Sequence, residues 1–339
     1  MVFCSLIVSH SFDFSGNPLS AQTLEQVKTY FQRTGSYWEA NAAPVDIASA
    51  KMLYPTLSSD EINRLIFGLP GNLEMGKIEL ARRDLDYKQL NHELDAWVNS
   101  PGLGETAPYQ REAFKQALLA GWRRQLKQDD HSNDIYPTYA LDISAPISGK
   151  LPTLSSRFTH VSTLRLRGDA QPLDVGNWLA SFSDVQHLII EDYVLEDIPE
   201  PVFQLPQLTT LSLERCNLRL SAKTVQALEA NSNLERLNLS DNPLGQLPDF
   251  TSMTSLDSLG LRNTGLTEIP PSLLTPRERN LVDLSHNLIT QIPEPLLQRP
   301  APVTSAFDLS ANPLSRATLE RLKRYCQTRG EHLQVDAPG

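Results

Sequence analysis

The sequence predicts an α/β solenoid: short parallel strands on a concave face, with a helical region before them and a helical cap after them. Three observations predict it. An apolar pattern L-x-x-L-x-L-x-x-N-x-L recurs from about Thr138 to Leu314. A run without that pattern, about 44–137, carries helical periodicity instead. A 24-residue segment near each end of the chain is the same sequence twice.

The repeat comes first. Its ninth position falls at Pro146, Asp169, Tyr193, Cys216, Asn242, Thr264, Asn287 and Asn312, with spacings of 23, 24, 23, 26, 22, 23 and 25 residues. Self-similarity at this period is the signature of a leucine-rich repeat array, here of about eight units over 138–314. In the unit Asn233-Leu-Glu-Arg-Leu-Asn-Leu-Ser-Asp-Asn-Pro-Leu244, residues Leu237 and Leu239 alternate as one buried face of a strand. Arg236, Asn238 and Ser240 must then point to the opposite, open face. Asn242, Asn287 and Asn312 suit the turn that follows, because a carboxamide can both donate to and accept from backbone groups left unpaired there. Cys216 replaces that Asn with a weaker donor. Ile198-Pro199, Leu247-Pro248, Ile269-Pro270 and Ile292-Pro293 set extended return segments that forbid long helices on the convex side. The longest unit carries Ser221-Ala-Lys-Thr-Val-Gln-Ala-Leu-Glu-Ala230, where a Ser cap followed by Val225 and Leu228 predicts a true helix.

Residues Phe12–Gly35 and Phe307–Gly330 match without a gap at an offset of 295, with 14 of 24 positions identical. Each copy reads as a last strand, an Asn-Pro-Leu-Ser turn and an amphipathic helix capped by Ser20 or Ser315, with Leu24, Val27 and Phe31 or Leu319, Leu322 and Cys326 on the apolar side. A terminal repeat needs such a cap because each unit buries its faces only against neighbours. Residues 315–339 are therefore the C-terminal cap and tail, and 1–43 read as the remnant of a preceding array end. Val2, Phe3, Leu6 and Ile7 would make an exposed edge strand there. Cys326, standing where the other copy has Phe31, reads as a buried filler.

In the helical region, 44–137, helices are expected near Val45–Leu53, Ser59–Phe67, Met75–Asn99 and Tyr109–Lys127. Ile78, Leu80, Leu85, Leu90, Leu94, Trp97 and Val98 form the expected apolar face of the third. The loop Ser100–Pro108 lets the last two pair as a hairpin. The region is expected to cover the N-terminal end of the main array, with a separate mobile domain as the alternative.

Composition sets the function classes. A formal net charge of −10, from 30 basic and 40 acidic residues, with no basic block, disfavours nucleic acid. No apolar run reaches the roughly 20 residues a membrane span needs. The opening Met1–Ser9 lacks the positive n-region and cleavage site of a classical secretory signal. Three cysteines make no disulfide framework and no C-x-x-C metal pattern. Asp129, Asp130, His131 and Asp134 lack the glycine and terminal Glu of a calcium loop and read as a solvated linker. His92 and His286 stand alone, and no nucleophile, metal or phosphate-loop motif is present. No cofactor, metal or small-molecule substrate is expected.

The open face of the sheet remains. It should display Arg165, Arg167, His187, Glu191, Ser212, Glu214, Arg236, Asn238, Arg262, Asp283 and Asp308. Eight strands about 4.8 Å apart make a surface roughly 35 Å long, enough for a protein partner. Its charges read as blocks: basic near Arg165, acidic near Glu191, mixed in the middle and acidic at the end.

The Asn-Pro-Leu-Ser-x-x-Thr-Leu units with their cap helix, the Ile-Pro and Leu-Pro returns, Leu85-Asp-Tyr-Lys-Gln-Leu and Gly121-Trp-Arg-Arg carry a family resemblance across nearly the whole chain. It resembles the repeat region of bacterial effectors and toxin-like proteins, Pseudomonas among them, that end in the novel E3 ligase domain. The resemblance implies repeats that select a host protein, delivery into host cytoplasm or secretion, and a separate all-helical domain with the ubiquitin-accepting cysteine. None of Cys4, Cys216 and Cys326 has the Cys-x-Asp setting of that cysteine, so the resemblance does not bring the activity to this chain. The leading expectation is a non-catalytic protein-recognition module. Membership of an active ubiquitin ligase and a scaffold solenoid are the alternatives.

Overall fold

The computed structural model describes residues 13–101, 107–128, 138–275, 277–329 and 333–336. Val2, Cys4, the expected N-terminal edge, and the Asp129–Asp134 run lie outside them. Among the described residues five helices come first: α1 (Ala21–Thr34), α2 (Pro44–Leu53), α3 (Ser59–Gly68), α4 (Leu73–Val98) and α5 (Pro108–Trp122). Their starts follow local chemistry. Ser20 accepts from the Thr23 amide, Ser58 and Glu61 form a capping box, Asn72 accepts from the Met75 amide, and Pro44 and Pro108 occupy the first turns of α2 and α5.

Two expectations about these helices are corrected. Ile78 and Leu85 are 70% and 65% exposed, whereas Leu80, Leu90, Leu94 and Trp97 are buried. At 100° per residue, Ile78 and Leu85 lie roughly 150° around from Leu80, so one packed face cannot include them all. The expected helix Tyr109–Lys127 ends instead at Trp122. Arg124 adopts a left-handed conformation (φ 57°) and the Gln125 amide donates to Ala120 O at 2.9 Å, the closure usually made around glycine. The chain then returns as strand β1 (Lys127–Gln128), antiparallel to the first strand of the array.

The array strands are β2 (Tyr139–Ile143), β4 (Val161–Asp174), β5 (His187–Val194), β6 (Thr210–Glu214), β7 (Arg236–Asn238), β8 (Ser258–Gly260), β9 (Leu281–Asp283) and β10 (Phe307–Asp308), all parallel and in that spatial order. The two-residue β3 (Gly149–Lys150) pairs with the far end of β4. The convex side carries short 3-10 turns, the predicted helix α6 (Ala222–Glu229), and two four-residue helices, α7 (Glu294–Leu297) and α8 (Ala301–Thr304). Pro199, Pro270 and Pro293 are extended, and a short helical turn begins directly after each. The cap helix α9 (Arg316–Arg329) starts at Ser315, which accepts from the Thr318 amide. On it Leu322 and Tyr325 are buried, and Cys326 is only half-buried, packed against the core. The filler role expected of Cys326 is shared with its larger neighbour.

The asparagines work as the turn chemistry requires. The Asn242 carboxamide accepts from the Cys216 and Leu218 amides at 2.9 and 3.0 Å and donates to the carbonyls of Leu213, Leu239 and Ser240 at 2.7–3.0 Å. Asn287 repeats this one unit later with the Thr264 and Leu266 amides and the Leu261, Leu284 and Ser285 carbonyls. Just before each of these positions the backbone turns left-handed, at Asp192, Arg215, Asp241, Asn263, His286 and Ala311 (φ 50–59°). Cys216 donates its thiol to Ile190 O and Glu214 O, and burial pushes its pKa up to about 12, so it packs rather than reacts.

The duplication runs further in space than in sequence. Asp13 bridges Glu39 and Asp308 bridges Gln334, pairs related by the same offset of 295, so each cap helix is followed by a residue that rejoins the sheet. Lys28 and its counterpart Lys323 diverge. Lys323 is exposed, but Lys28 is fully buried and donates to the carbonyls of Ile66, Phe67 and Leu69 that end α3. The first copy thereby anchors the helical region, and a single apolar cluster continues from it into the array. Phe114 of α5 meets Trp178 at 5.8 Å, Trp97 donates to Lys150 O, and the Ser155 amide donates to Glu93. Through these contacts the helical region closes the N-terminal end of the array.

Candidate functional site

The parallel register builds the concave face row by row. One row runs Asp142, Arg165, Ile189, Ser212, Asn238, Gly260, Asp283, Asp308, each residue paired with the next across the strands. On the entry side runs Thr163, His187, Thr210, Arg236, Ser258, Leu281, and on the exit side Arg167, Glu191, Glu214. Side chains alternate along a strand, so these rows share one face, and the intervening Leu164, Leu188, Leu211, Leu237 and Leu259 are buried on the other. Ten of the eleven residues expected to display together stand in these rows. Arg262 follows buried Leu261 just past the end of β8 and is exposed.

The charge blocks read along the chain become paired neighbours across the strands. Arg165 and Arg167 both reach Asp142 (3.4 and 3.6 Å), and Arg167 also reaches Glu191 at 3.3 Å. Arg215 forks onto both oxygens of Asp192 (2.6 and 3.1 Å) and holds Glu214 at 3.0 Å, while Asn238 donates to Glu214. Those hydrogen bonds hold Asp192 below the usual carboxylate range. The N-terminal half of the face is thus largely self-neutralised. Further on, Asn238, Asp283 and Asp308 each accept from the amide two residues ahead, which fixes their side chains as local backbone props. Arg236 and Arg262 differ: both are exposed, and among the described residues neither forms an ion pair. A shallow hollow of about 520 Å³ lies over the first strands, with Asp142, Arg165, His187 and Arg236 on its wall.

The sequence reading passed over Gly260. A Cβ there would stand 2.4 Å from the Asn238 carboxamide oxygen, so only glycine lets Asn238 lie across its neighbour and reach Glu214. It also missed a cluster beneath the helical region, where Arg83, Arg124 and His160 meet, because those residues are far apart in the chain. Among the described residues no group of three or more His, Cys, Asp or Glu side chains could hold a metal ion, and no helix is long and apolar enough to cross a membrane.

Comparison with known proteins agrees with the repeat reading. The Leucine Rich Repeat family matches residues 233–253, the unit that contains Asn242. The chain is 35% identical to Tsukushi of Mus musculus over 137 residues, 38% of each protein, and 25% identical to the transforming growth factor beta activator LRRC33 of Danio rerio over 155 residues, 45% of this chain and 22% of that one. It therefore spans well under half the length of these relatives. Among solved structures, a leucine-rich repeat protein of Leptospira interrogans aligns over 58% of this chain and 60% of its own at 17% identity, with a TM-score of 0.40. The leucine-rich repeat domain of the type III effector XopL aligns over 69% and 77% at 16% identity, also with a TM-score of 0.40. The stacked parallel strands, the asparagine-closed turns and the matched unit identify the architecture as a leucine-rich repeat solenoid.

Proposed function

We propose that this chain is a non-catalytic protein-recognition module that binds its partner on the concave face. The observation that carries this reading is the contrast within one continuous sheet surface. Arg165, Arg167 and Arg215 are committed to neighbouring carboxylates, whereas Arg236 and Arg262 project without an ion partner in the described residues. An unpaired guanidinium on a rigid strand loses little freedom when it meets a carboxylate and is a common energetic anchor of interfaces. The partner surface should accordingly be acidic opposite β7 and β8.

The resemblance to repeat regions that precede a novel E3 ligase domain supports a more specific reading, in which the face selects a host target for an effector. That reading rests on the Asn-Pro-Leu-Ser units, the Ile-Pro and Leu-Pro returns and the helical-region motifs. The alternative that the chain belongs to an active ubiquitin ligase is tested by reading the coding sequence beyond codon 339, where a stop codon directly after Gly339 would remove that alternative.

The recognition reading is tested by titrating a purified partner, first captured on the immobilised chain, against the wild type and the Arg236→Glu, Arg262→Glu double variant. At least a tenfold loss of affinity is expected for the double variant. Arg165→Glu should lose less, because Asp142 already occupies Arg165. Unchanged affinity in the double variant, or failure of any captured protein to saturate, refutes the reading.

A further inference from the structure

The junction between the helical region and the first array strand holds a concentration of positive charge that concave-face recognition does not use. Arg124, at the left-handed end of α5, lies between the rings of Tyr54 and Tyr139, with its Cζ 5.6 and 5.9 Å from their centroids. Its Nε is cut off from solvent and makes no hydrogen bond, while the rest of the guanidinium is hydrogen-bonded to the Tyr139 hydroxyl. Arg83 of α4 reaches the Tyr54 hydroxyl at 3.3 Å, and His160, just before β4, is bonded through Nε2 to Gly121 O at 2.8 Å. Arg83, Arg124 and His160 all line both a cavity of about 240 Å³ and a second hollow on the side of Ser156 and Trp122.

The charge balance at this spot is unusual. The whole chain is acidic, at −10, yet the carboxylates that line the two hollows are engaged elsewhere. Glu61 accepts from the Ser58 amide at 2.7 Å as half of a capping box, and Asp86 holds Arg82 at 2.6 Å. Glu79, which lines neither hollow, pairs with Arg82 and with Arg83 itself. Among the described residues Arg124 has no carboxylate partner, and burial, with a smaller repulsion from Arg83, lowers its pKa against the opposing pull of Tyr54 and Tyr139. Removing a guanidinium from water without an anion is costly, and an arginine cannot escape by losing its proton. Arg124 thus carries the uncompensated charge, and Arg83, whose Nε is held by Glu79, adds its remaining terminal N–H groups to a donor set that suits a tetrahedral dianion.

We propose that this junction is a binding site for a small phosphate-class dianion, either free or as a compact monoester, with Arg124 and Arg83 as its principal donors. Bound there, the dianion bridges α4 and α5 to the start of the array and ties the two regions together. It is independent of the concave face, so its test does not depend on the protein-recognition reading.

Isothermal titration with inorganic phosphate at low ionic strength, with acetate as a monoanion control, tests this directly. Saturable one-to-one phosphate binding, at least tenfold tighter than acetate, is expected, together with an upward shift of the thermal midpoint as phosphate is added. Arg124→Gln should weaken binding at least tenfold, Arg124→Lys should weaken it less because charge without the fork remains, and Arg262→Glu on the concave face should leave it unchanged. Should Arg124→Gln fail to fold by circular dichroism, Arg83→Gln takes its place with the same expectation. Absence of saturable heat with the wild type, equal affinity for acetate, or wild-type binding in the folded Arg124 or Arg83 variant overturns the proposal. Phosphate binding that Arg262→Glu weakens as much as Arg124→Gln would show diffuse attraction to surface charge and overturn it equally.

Discussion

Asn242 offers the sharpest test of how the array is held together. Its side chain is 2% exposed and sits where two consecutive turns would otherwise leave backbone groups without water or protein partners. Asn242→Leu preserves size and removes all five hydrogen bonds. The Cys216 and Leu218 amides then become buried donors without acceptors, each costing about 1–3 kcal/mol. The freed carbonyls add less, because a carbonyl tolerates losing one of two acceptor sites. A loss of about 3–5 kcal/mol is expected, which for a chain of this size lowers the thermal midpoint by about 4–7 °C. Repeat arrays can melt in parts, so hydrogen exchange is the deciding assay, with protection at Cys216 and Leu218 falling more than protection in α1–α5. Asn312→Leu provides the internal scale. Asn312 accepts a single backbone amide, from Ile289, and lies at the array end, so its loss should be roughly half that of Asn242. A loss below about 1 kcal/mol for Asn242→Leu, or equal losses at the two sites, would refute the reasoning that orphaned amides dominate the cost.

Two further outcomes follow from local geometry. Ala311 is left-handed (φ 55°) where the duplicated copy has Gly16 (φ 81°), so Ala311→Gly should stabilise the C-terminal repeat by about 1 kcal/mol in urea denaturation, and a destabilised variant would contradict the strain argument. His160 is partly buried at the junction, and burial together with Arg124 lowers its pKa to about 3. The unfolded chain therefore binds the extra proton between about pH 6.5 and 3 and the folded chain does not, so stability falls as pH falls through that window, by about 2 kcal/mol at pH 5. His160→Gln should flatten that part of the stability profile, and an unchanged slope between pH 6.5 and 4 would show that other groups set it.

How much was legible in advance depends on how local the physics is. Repeat spacing placed all eight array strands, because a period-2 apolar pattern closed by Asn is enforced within a dozen residues. Caps at Ser20, Ser221 and Ser315 were readable for the same reason, since the capping hydroxyl and its amide lie three residues apart. The end of α5 was not readable: Arg124 makes a left-handed closure that sequence normally marks with glycine. The exposure of Ile78 and Leu85, by contrast, follows from helix geometry alone, since at 100° per residue they lie far from the stripe of Leu80, Leu90, Leu94 and Trp97 that packs.

The candidate face divides along the same line. The chain alone determined which residues point to the concave side, since strand alternation is a property of the backbone. Only the tertiary structure decided what they do there, because strands 22–26 residues apart become neighbours solely through stacking. That stacking sets Arg165 on Asp142 and Arg215 on Asp192, and leaves Arg236 and Arg262 without an ion pair among the described residues. It also gathers Arg83, Arg124 and His160, dispersed over 77 residues, into one half-buried junction. Electrostatic consequences depend on distance in space, and spacing in sequence fixes that distance only within a single repeat.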